Sequence, residues 1–182
     1  MKKKLQQSIQ IPEGVSCKCE NKILTCRKDS TELKRKVDLP QIEIKIEGKQ
    51  ISLTCKKGNK NDYKIIKAFT AHIANMFRGL EKKFVYHLES VNVHFPMTLK
   101  AEKGTLAISN FLGEKVPRYA KILSNVEVEI KGQSITISSH DREAAGQTAA
   151  NFEKATKIRR KDRRIYQDGI YIVEKPARRE NV

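Results

Sequence analysis

Residues 42–55 read IEIKIEGKQISLTC, and residues 126–139 repeat the pattern as VEVEIKGQSITISS. Ile42, Ile44, Ile46, Ile51 and Leu53 fall on Val126, Val128, Ile130, Ile135 and Ile137, and Gly48 falls on Gly132. Strict alternation on both sides of a glycine predicts strand, turn, strand, with every second side chain on one buried face. A second match lies upstream. Val15, Cys17, Cys19, Leu24 and Cys26 correspond to Met97, Leu99, Ala101, Leu106 and Ile108. The later match is displaced by 84 positions (42 to 126) and the earlier by 82 (15 to 97). Stacked-repeat proteins recur every ~20–50 residues, so this displacement predicts a duplicated domain in two tandem copies.

Each hairpin is followed by a helical pattern. Ile66, Phe69, Ile73, Met76 and Leu80 step by three and four, giving one apolar stripe, and Gly79 is placed to end that helix. In the second copy the stripe is Ala145, Ala149, Phe152 and Ala155, with Asp141 and Glu143 in the first turn, where the helix dipole favours anions. The alanines would let that helix lie close to its sheet. The expected fold class is α+β: two similar tandem domains, each an antiparallel sheet packed against one helix. The expected boundaries are 1–81 and 82–182, meeting in Glu81-Lys82-Lys83. Phe69, Met76, Phe77 and Phe152 keep helical spacing and are read as core, not as base-stacking platforms.

The chain has 182 residues, 38% of them hydrophobic, with 37 Lys and Arg against 21 acids and a net charge of +16. Such a surface repels itself unless something anionic lies against it, and nucleic acid is the commonest such partner. A membrane surface would need a long amphipathic helix with a clean basic face, which is not found, and no run reaches the ~20 apolar residues of a membrane span. Met1-Lys2-Lys3-Lys4-Leu5 leads into Gln6, Gln7 and Ser8 rather than an apolar secretory segment, so the expected location is cytoplasmic. Cys17, Cys19, Cys26 and Cys55 do not form the paired Cys-x2-4-Cys spacing of a zinc site and are expected to pack as reduced thiols. His72, His87, His94 and His140 are scattered and read as structural or surface residues. No phosphate-cradling loop, HExxH pair or nucleophile elbow is present. No cofactor, metal or catalytic residue is therefore expected.

The charge is concentrated near the end. From Lys157 to Arg179 there are nine Lys or Arg against three acids. The run opens with Lys157, Arg159, Arg160, Lys161, Arg163 and Arg164, continues through Tyr166, an Asp168-Gly169 turn signal and the strand-like Ile170-Tyr171-Ile172-Val173, and closes with Lys175, Arg178 and Arg179. Cations interleaved with tyrosines on partly ordered chain suit phosphate contact with occasional stacking. A solvated, disordered tail is the competing reading, but it would not need Ile165, Ile170, Ile172 and Val173. Smaller basic clusters occur at Lys34 to Lys36, at Lys56 to Lys60 in a Gly- and Asn-rich loop, and at Arg118 and Lys121.

The second half also carries recognisable words: VHFPM at 93–97, NFLGEKVPR at 110–118, EAAGQTAANFEKATKIR at 143–159 and QDGIYIVEK at 167–175. Together they closely resemble the large ribosomal subunit protein six family (protein nine in eukaryotes) in its archaeal form. IPEGV at 11–15 and AFTAHIANM at 68–76 extend the likeness over nearly the whole chain, while RKDSTELKRK at 27–36 replaces the family's glycine-rich turn. The resemblance implies two tandem α+β domains in a structural, non-enzymatic component of the large subunit. It implies binding to 23S-type rRNA, mainly by the second domain, near the base of the factor-binding stalk and the sarcin–ricin loop. Neighbouring ribosomal proteins and nearby translation GTPases would be its protein surroundings, and no homo-oligomer is implied. Arg159, Arg160, Lys161, Tyr166, Gly169 and Tyr171 would touch RNA, together with Lys115 and Arg118 of the NFLGEKVPR stretch.

Overall fold

The computed structural model describes residues 3–37, 42–102, 104–162 and 164–177. Two units divide the chain, Met1–Lys82 and Lys83–Val182.

In the first unit β1 (Lys3–Gln10), β6 (Gln50–Gly58) and β5 (Glu43–Glu47) form one antiparallel sheet in the order β1-β6-β5, and β2 (Ser16–Glu20), β3 (Ile23–Lys28) and β4 (Thr31–Lys36) form another in the order β2-β3-β4. Helix α1 (Lys60–Glu81) packs on strands of both. The second unit repeats the order. β7 (Phe84–Val91) stands where β1 does, beside β12 (Ser134–Ser139), which pairs with β11 (Glu127–Lys131). β8 (Thr98–Glu102), β9 (Thr105–Ser109) and β10 (Arg118–Lys121) form the smaller sheet, and α2 (Arg142–Ala155) follows. Among the described residues, one element has no counterpart in the first unit. β13 (Gly169–Glu174) adds itself antiparallel to the outer side of β7, giving a four-stranded sheet β11-β12-β7-β13.

The duplication holds in register. Ile44 faces Leu53 and Ile46 faces Ile51, as Val128 faces Ile137 and Ile130 faces Ile135. Cys17 faces Cys26 as Leu99 faces Ile108. Each unit encloses its own core. Leu24, Ile51, Leu53 and Ile73 are sealed in the first, and Leu106, Ile108, Ile135, Ile137 and Phe152 in the second. The fold is α+β, with two antiparallel sheets per unit where the sequence patterns predicted one. β4, with its sequence TELKRK, and β10, with RYAK, are edge strands that pair with one neighbour each. In β4 the exposed Glu32, Lys34 and Lys36 alternate with half-buried Thr31, Leu33 and Arg35.

Several local expectations are corrected. Gly79 does not end α1: it is buried inside the last turn, and the extended residue Lys82 caps the helix instead. Lys56 and Lys57 finish β6 rather than lying in a loop, and Lys60 opens α1. Asn59 caps α1 with a reciprocal box: its side chain accepts from Asn61 N at 2.7 Å and Asp62 N at 3.0 Å, and Asp62 Oδ2 accepts from Asn59 N at 2.7 Å. Asp141 is the cap of α2, not a first-turn residue, and accepts from Glu143 N at 2.9 Å. Cys26 and Cys55 are buried, Cys17 is half-buried, and Cys19 is exposed rather than packed. No described helix is long and apolar enough to cross a membrane. Among the described residues, no group of three His, Cys, Asp or Glu could hold a metal ion.

Candidate nucleic-acid interface

The basic run of the second unit is a loop pinned at both ends. At one end Thr156 caps α2. It is buried, its hydroxyl donates to Phe152 O and Glu153 O at 3.3 Å, and its Oγ1 accepts from Ile170 N at 2.9 Å. A single side chain thus ties the end of α2 to the start of β13 across 14 positions. Two residues on, Ile158 is buried while Lys157, Arg159 and Arg160 around it are exposed. That alternation sinks one apolar anchor and turns the cations to solvent. Arg160 takes a left-handed backbone at φ +58°, which bends the loop there.

The far end is held by Asp168. Its side chain is 1% exposed, and it accepts from Val93 N at 2.8 Å, His94 N at 3.0 Å and His94 Nδ1 at 2.6 Å. Burial by itself would raise this carboxyl. The bonds from His94 and Val93 outweigh that and hold it below the usual aspartate range. His94 in turn stacks on Tyr166, ring centroids 5.0 Å apart and planes 24° from parallel, and Lys161 Nζ stands 4.4 Å over the same tyrosine ring. Between these posts Asp162 folds a turn, accepting from Arg164 N on its side chain and from Tyr166 N on its carbonyl, both at 2.9 Å.

The loop forms one wall of a groove of about 540 Å³. Lys154, Lys157, Arg159, Lys161 and Arg118 line it against a single carboxylate, Glu114. The exposed ring of Tyr119 and the buried ring of Phe111 complete its apolar part. Arg118 is engaged within the protein. It forks onto Glu114 through Nε, at 2.7 Å, and Nη2, donates from Nη1 to Ala155 O at 2.9 Å, and lies 4.3 Å over the Phe111 ring. The hydrogen-bonded Arg118 guanidinium holds Glu114 below the ordinary glutamate range against the opposing effect of burial, with Lys161 adding to the pull. Among the described residues, Lys157, Arg159, Arg160 and Arg164 make no ion pair with an acid. All four are exposed.

The predicted residues are therefore distributed unevenly. Lys157, Arg159, Lys161 and Arg118 share the groove, and Tyr166 stands beside it on Lys161. Arg160 and Arg164 lie on the same loop, exposed. Lys115 is exposed in the 110–118 stretch, which is anchored by buried Phe111 and by Asn110 Nδ2 donating to Pro96 O at 3.0 Å. Gly169 is buried, and a Cβ there would meet the Tyr171 ring at 3.2 Å. This glycine lets Tyr171 lie flat against the strand, its hydroxyl donating to Gln167 O at 3.2 Å. Lys175 is exposed beyond β13, and Arg163, Arg178 and Arg179 lie outside the described residues. Asp168-Gly169 is not a turn: Asp168 is the buried anchor and Gly169 begins β13. Of the apolar residues expected to order the segment, Ile170 is buried and Ile172 half-buried, but Ile165 and Val173 are exposed.

Sequence reasoning does not reach Thr156, His94, Asp168, Lys154 or Tyr119 as site residues. Only Lys154 carries a local signal, as the cation preceding the basic run.

A family model described as "Ribosomal protein L6" matches residues 95–169, a stretch that includes α2 and most of the basic loop. Along nearly its whole length the chain is similar to proteins named "Large ribosomal subunit protein uL6". It is 38% identical to that of Methanococcus vannielii over 174 residues, covering 96% of each chain. It is 40% identical to that of Methanobrevibacter smithii over 171 residues, covering 94% of this chain and 96% of the other. With the Methanosarcina mazei protein the identity is 39% over 175 residues, covering 96% and 99%.

Proposed function

The chain belongs to the ribosomal protein L6 family, and on that premise we propose that the pinned basic loop of its second unit holds large-subunit rRNA. Family membership makes the protein a structural constituent of the large ribosomal subunit in the cytoplasm, without chemistry of its own. Its general partners are rRNA and other ribosomal proteins.

The finer reading concerns how and where RNA is held. The observation that carries it is the pairing of exposed, acid-free cations at Lys157, Arg159 and Arg160 with a loop whose ends are locked by Thr156 and Asp168. Cations on a locked loop lose little conformational freedom when a phosphate arrives. Phosphate neutralisation then releases counterions and supplies most of the affinity. A-form RNA hides its base edges in a deep major groove, so recognition rests on shape, backbone and 2′-hydroxyl contacts. The 540 Å³ groove, with Tyr119 exposed on its rim, suits an unstacked nucleotide beside that backbone. Lys115, Lys175, Tyr166 and Tyr171 would extend the contact, and Arg118 would shape the groove rather than neutralise phosphate, since Glu114 already takes its fork. The family resemblance further suggests a single copy seated near the base of the factor-binding stalk and the sarcin–ricin loop, with translation GTPases close by.

The test is binding of the full chain to a large-subunit rRNA fragment across a salt series. Lys157→Ala/Arg159→Ala/Arg160→Ala should weaken binding and reduce the slope of log K against log salt by roughly 2–3, about one for each phosphate no longer neutralised. Lys64→Ala/Lys67→Ala, on the exposed face of α1, should leave the slope unchanged. Equal slopes for the triple variant and the wild type would exclude the loop as the contact surface.

A further inference from the structure

The geometry points to a covalent modification site in the first unit: Cys17 and Cys26 are placed to close a disulfide across β2 and β3 when the protein meets a low-molecular-weight disulfide. The two residues are direct partners in the antiparallel ladder. Residues so opposed have Cα atoms about 4.5–5.5 Å apart, inside the roughly 4.4–6.8 Å span that a disulfide bridges. Their sulfurs are 2.7 Å apart. Closing to a bond of about 2.05 Å asks for some 0.7 Å of movement, which rotation of two χ1 angles can supply.

The pair is also asymmetric in a way that sets an order of events. Cys26 is fully buried, while Cys17 is half-buried and lines a solvent-open groove of about 320 Å³ with Gly14, Ser16, Gly48 and Lys49. The contact with Cys26 lowers the Cys17 thiol, which favours the thiolate on the accessible member, and the same contact raises the Cys26 thiol. Packing does not require this pair. The duplicated position in the second unit holds Leu99 opposite Ile108, and an apolar pair serves the same core there. Cys19 faces Leu24 across the ladder and Cys55 lies on β6 in the other sheet, so neither is the register partner of Cys17.

The exchange balances without another reagent. The Cys17 thiolate attacks one sulfur of the oxidant, forming a mixed disulfide and expelling one thiolate. The Cys26 sulfur then attacks Cys17, forming the protein disulfide and expelling the second thiolate. The two cysteine protons end on the two released thiols. The protein is oxidised by two electrons and the small disulfide is reduced by two. In a reducing compartment the bond would be opened by the reverse exchange, so the site responds to oxidation rather than serving as a permanent staple.

The full-length protein is incubated with oxidised glutathione, quenched in acid, denatured and alkylated. Of its four cysteines, only Cys19 and Cys55 should take label, and the intact mass should fall by two hydrogens. Trypsin cuts after Lys18, Lys22 and Arg27, which places Cys17, Cys19 and Cys26 on separate peptides. The linked pair should contain Cys17 and Cys26 and should separate on reduction with dithiothreitol. Cys19→Ser should keep the link, and Cys17→Ser should lose it. The inference fails if the wild type still takes four labels, if the link includes Cys19, or if glutathione stays on Cys17 while Cys26 is alkylated. All three readings come from the wild-type chain and need no variant to fold.

Discussion

Replacing Asp168 with Ala tests whether the basic loop is mounted on the body of the second unit or merely lies near it. The carboxylate accepts from two backbone N–H groups and the His94 ring. A hydrogen bond to a charged group contributes about 1.5–3 kcal/mol net. The three share one acceptor, and Val93 and His94 are exposed enough for their donors to recover water, so the contributions do not add in full. We expect a loss of about 3 kcal/mol. At roughly 4–8 °C per kcal/mol for a domain of 60–100 residues, the melting midpoint of the second unit should drop by about 12 °C or more. Asp168→Asn keeps an oxygen for both backbone donors and should lose about half as much. The pH dependence has a definite sign. The folded carboxyl titrates below its ordinary value, so its contribution is complete above the unfolded pKa near 3.9 and disappears as pH falls through the lower folded value. The gap between wild type and Asp168→Asn should be flat above pH ~5 and should narrow below ~4. Urea unfolding over that pH range reads both quantities. A loss under ~1 kcal/mol for Asp168→Ala, or a gap that widens in acid, would refute the view of Asp168 as the anchor.

Two further outcomes follow from the same unit. Arg118→Ala should raise the titration midpoint of Glu114 toward the ordinary glutamate value, because the guanidinium fork is the main cause of its depression; carbon-detected NMR of the Glu114 carboxyl reads this directly, and an unmoved midpoint would mean that the fork does not persist in solution. Phe152→Ala removes a fully buried ring from beneath α2 and should cost about 3–5 kcal/mol, seen as a lower urea midpoint; a loss near 1 kcal/mol would show that the alanine-lined helix collapses into the space.

Much of the fold was legible because duplication doubles a weak signal. The alternation in 42–55 alone could be a surface hairpin. Its recurrence at 126–139, in the same register and before another helical stripe, leaves little choice of architecture. The elements that escaped include both the central strand β7 and the edge strand β4, although the edge strands β5 and β11 carry the clearest alternation. β4 pairs only with β3, so Glu32, Lys34 and Lys36 can point outward along it. The Asn59-Asp62 box went unread, because Gly58 and Asn59 among the lysines of 56–60 read as a loop instead of a helix start. Gly79 misled as well: a glycine near a helix end usually marks termination, but here it is buried within the last turn and the helix runs on to Glu81.

The site divides along the same line. Where the charge lies can be read along the chain, since Lys157 to Lys161 are neighbours in sequence. How it is mounted cannot, since the mount is made of pairs far apart: Thr156 with Ile170, and Asp168 with His94, separated by 74 positions. In sequence, Asp168 looks like the first half of a turn and a neutraliser of nearby cations. In the fold it is buried and bonded elsewhere, and so does not offset Arg159 or Arg160. The distinction also assigns a purpose to β13, the element without a counterpart in the first unit. An edge strand added to β7 gives the loop before it a fixed far end. Among the described residues, the first unit has no strand after its helix to fix such a loop against its sheet. The structural difference between two copies of one fold thus lies in a single added strand and in the buried carboxylate one residue ahead of it.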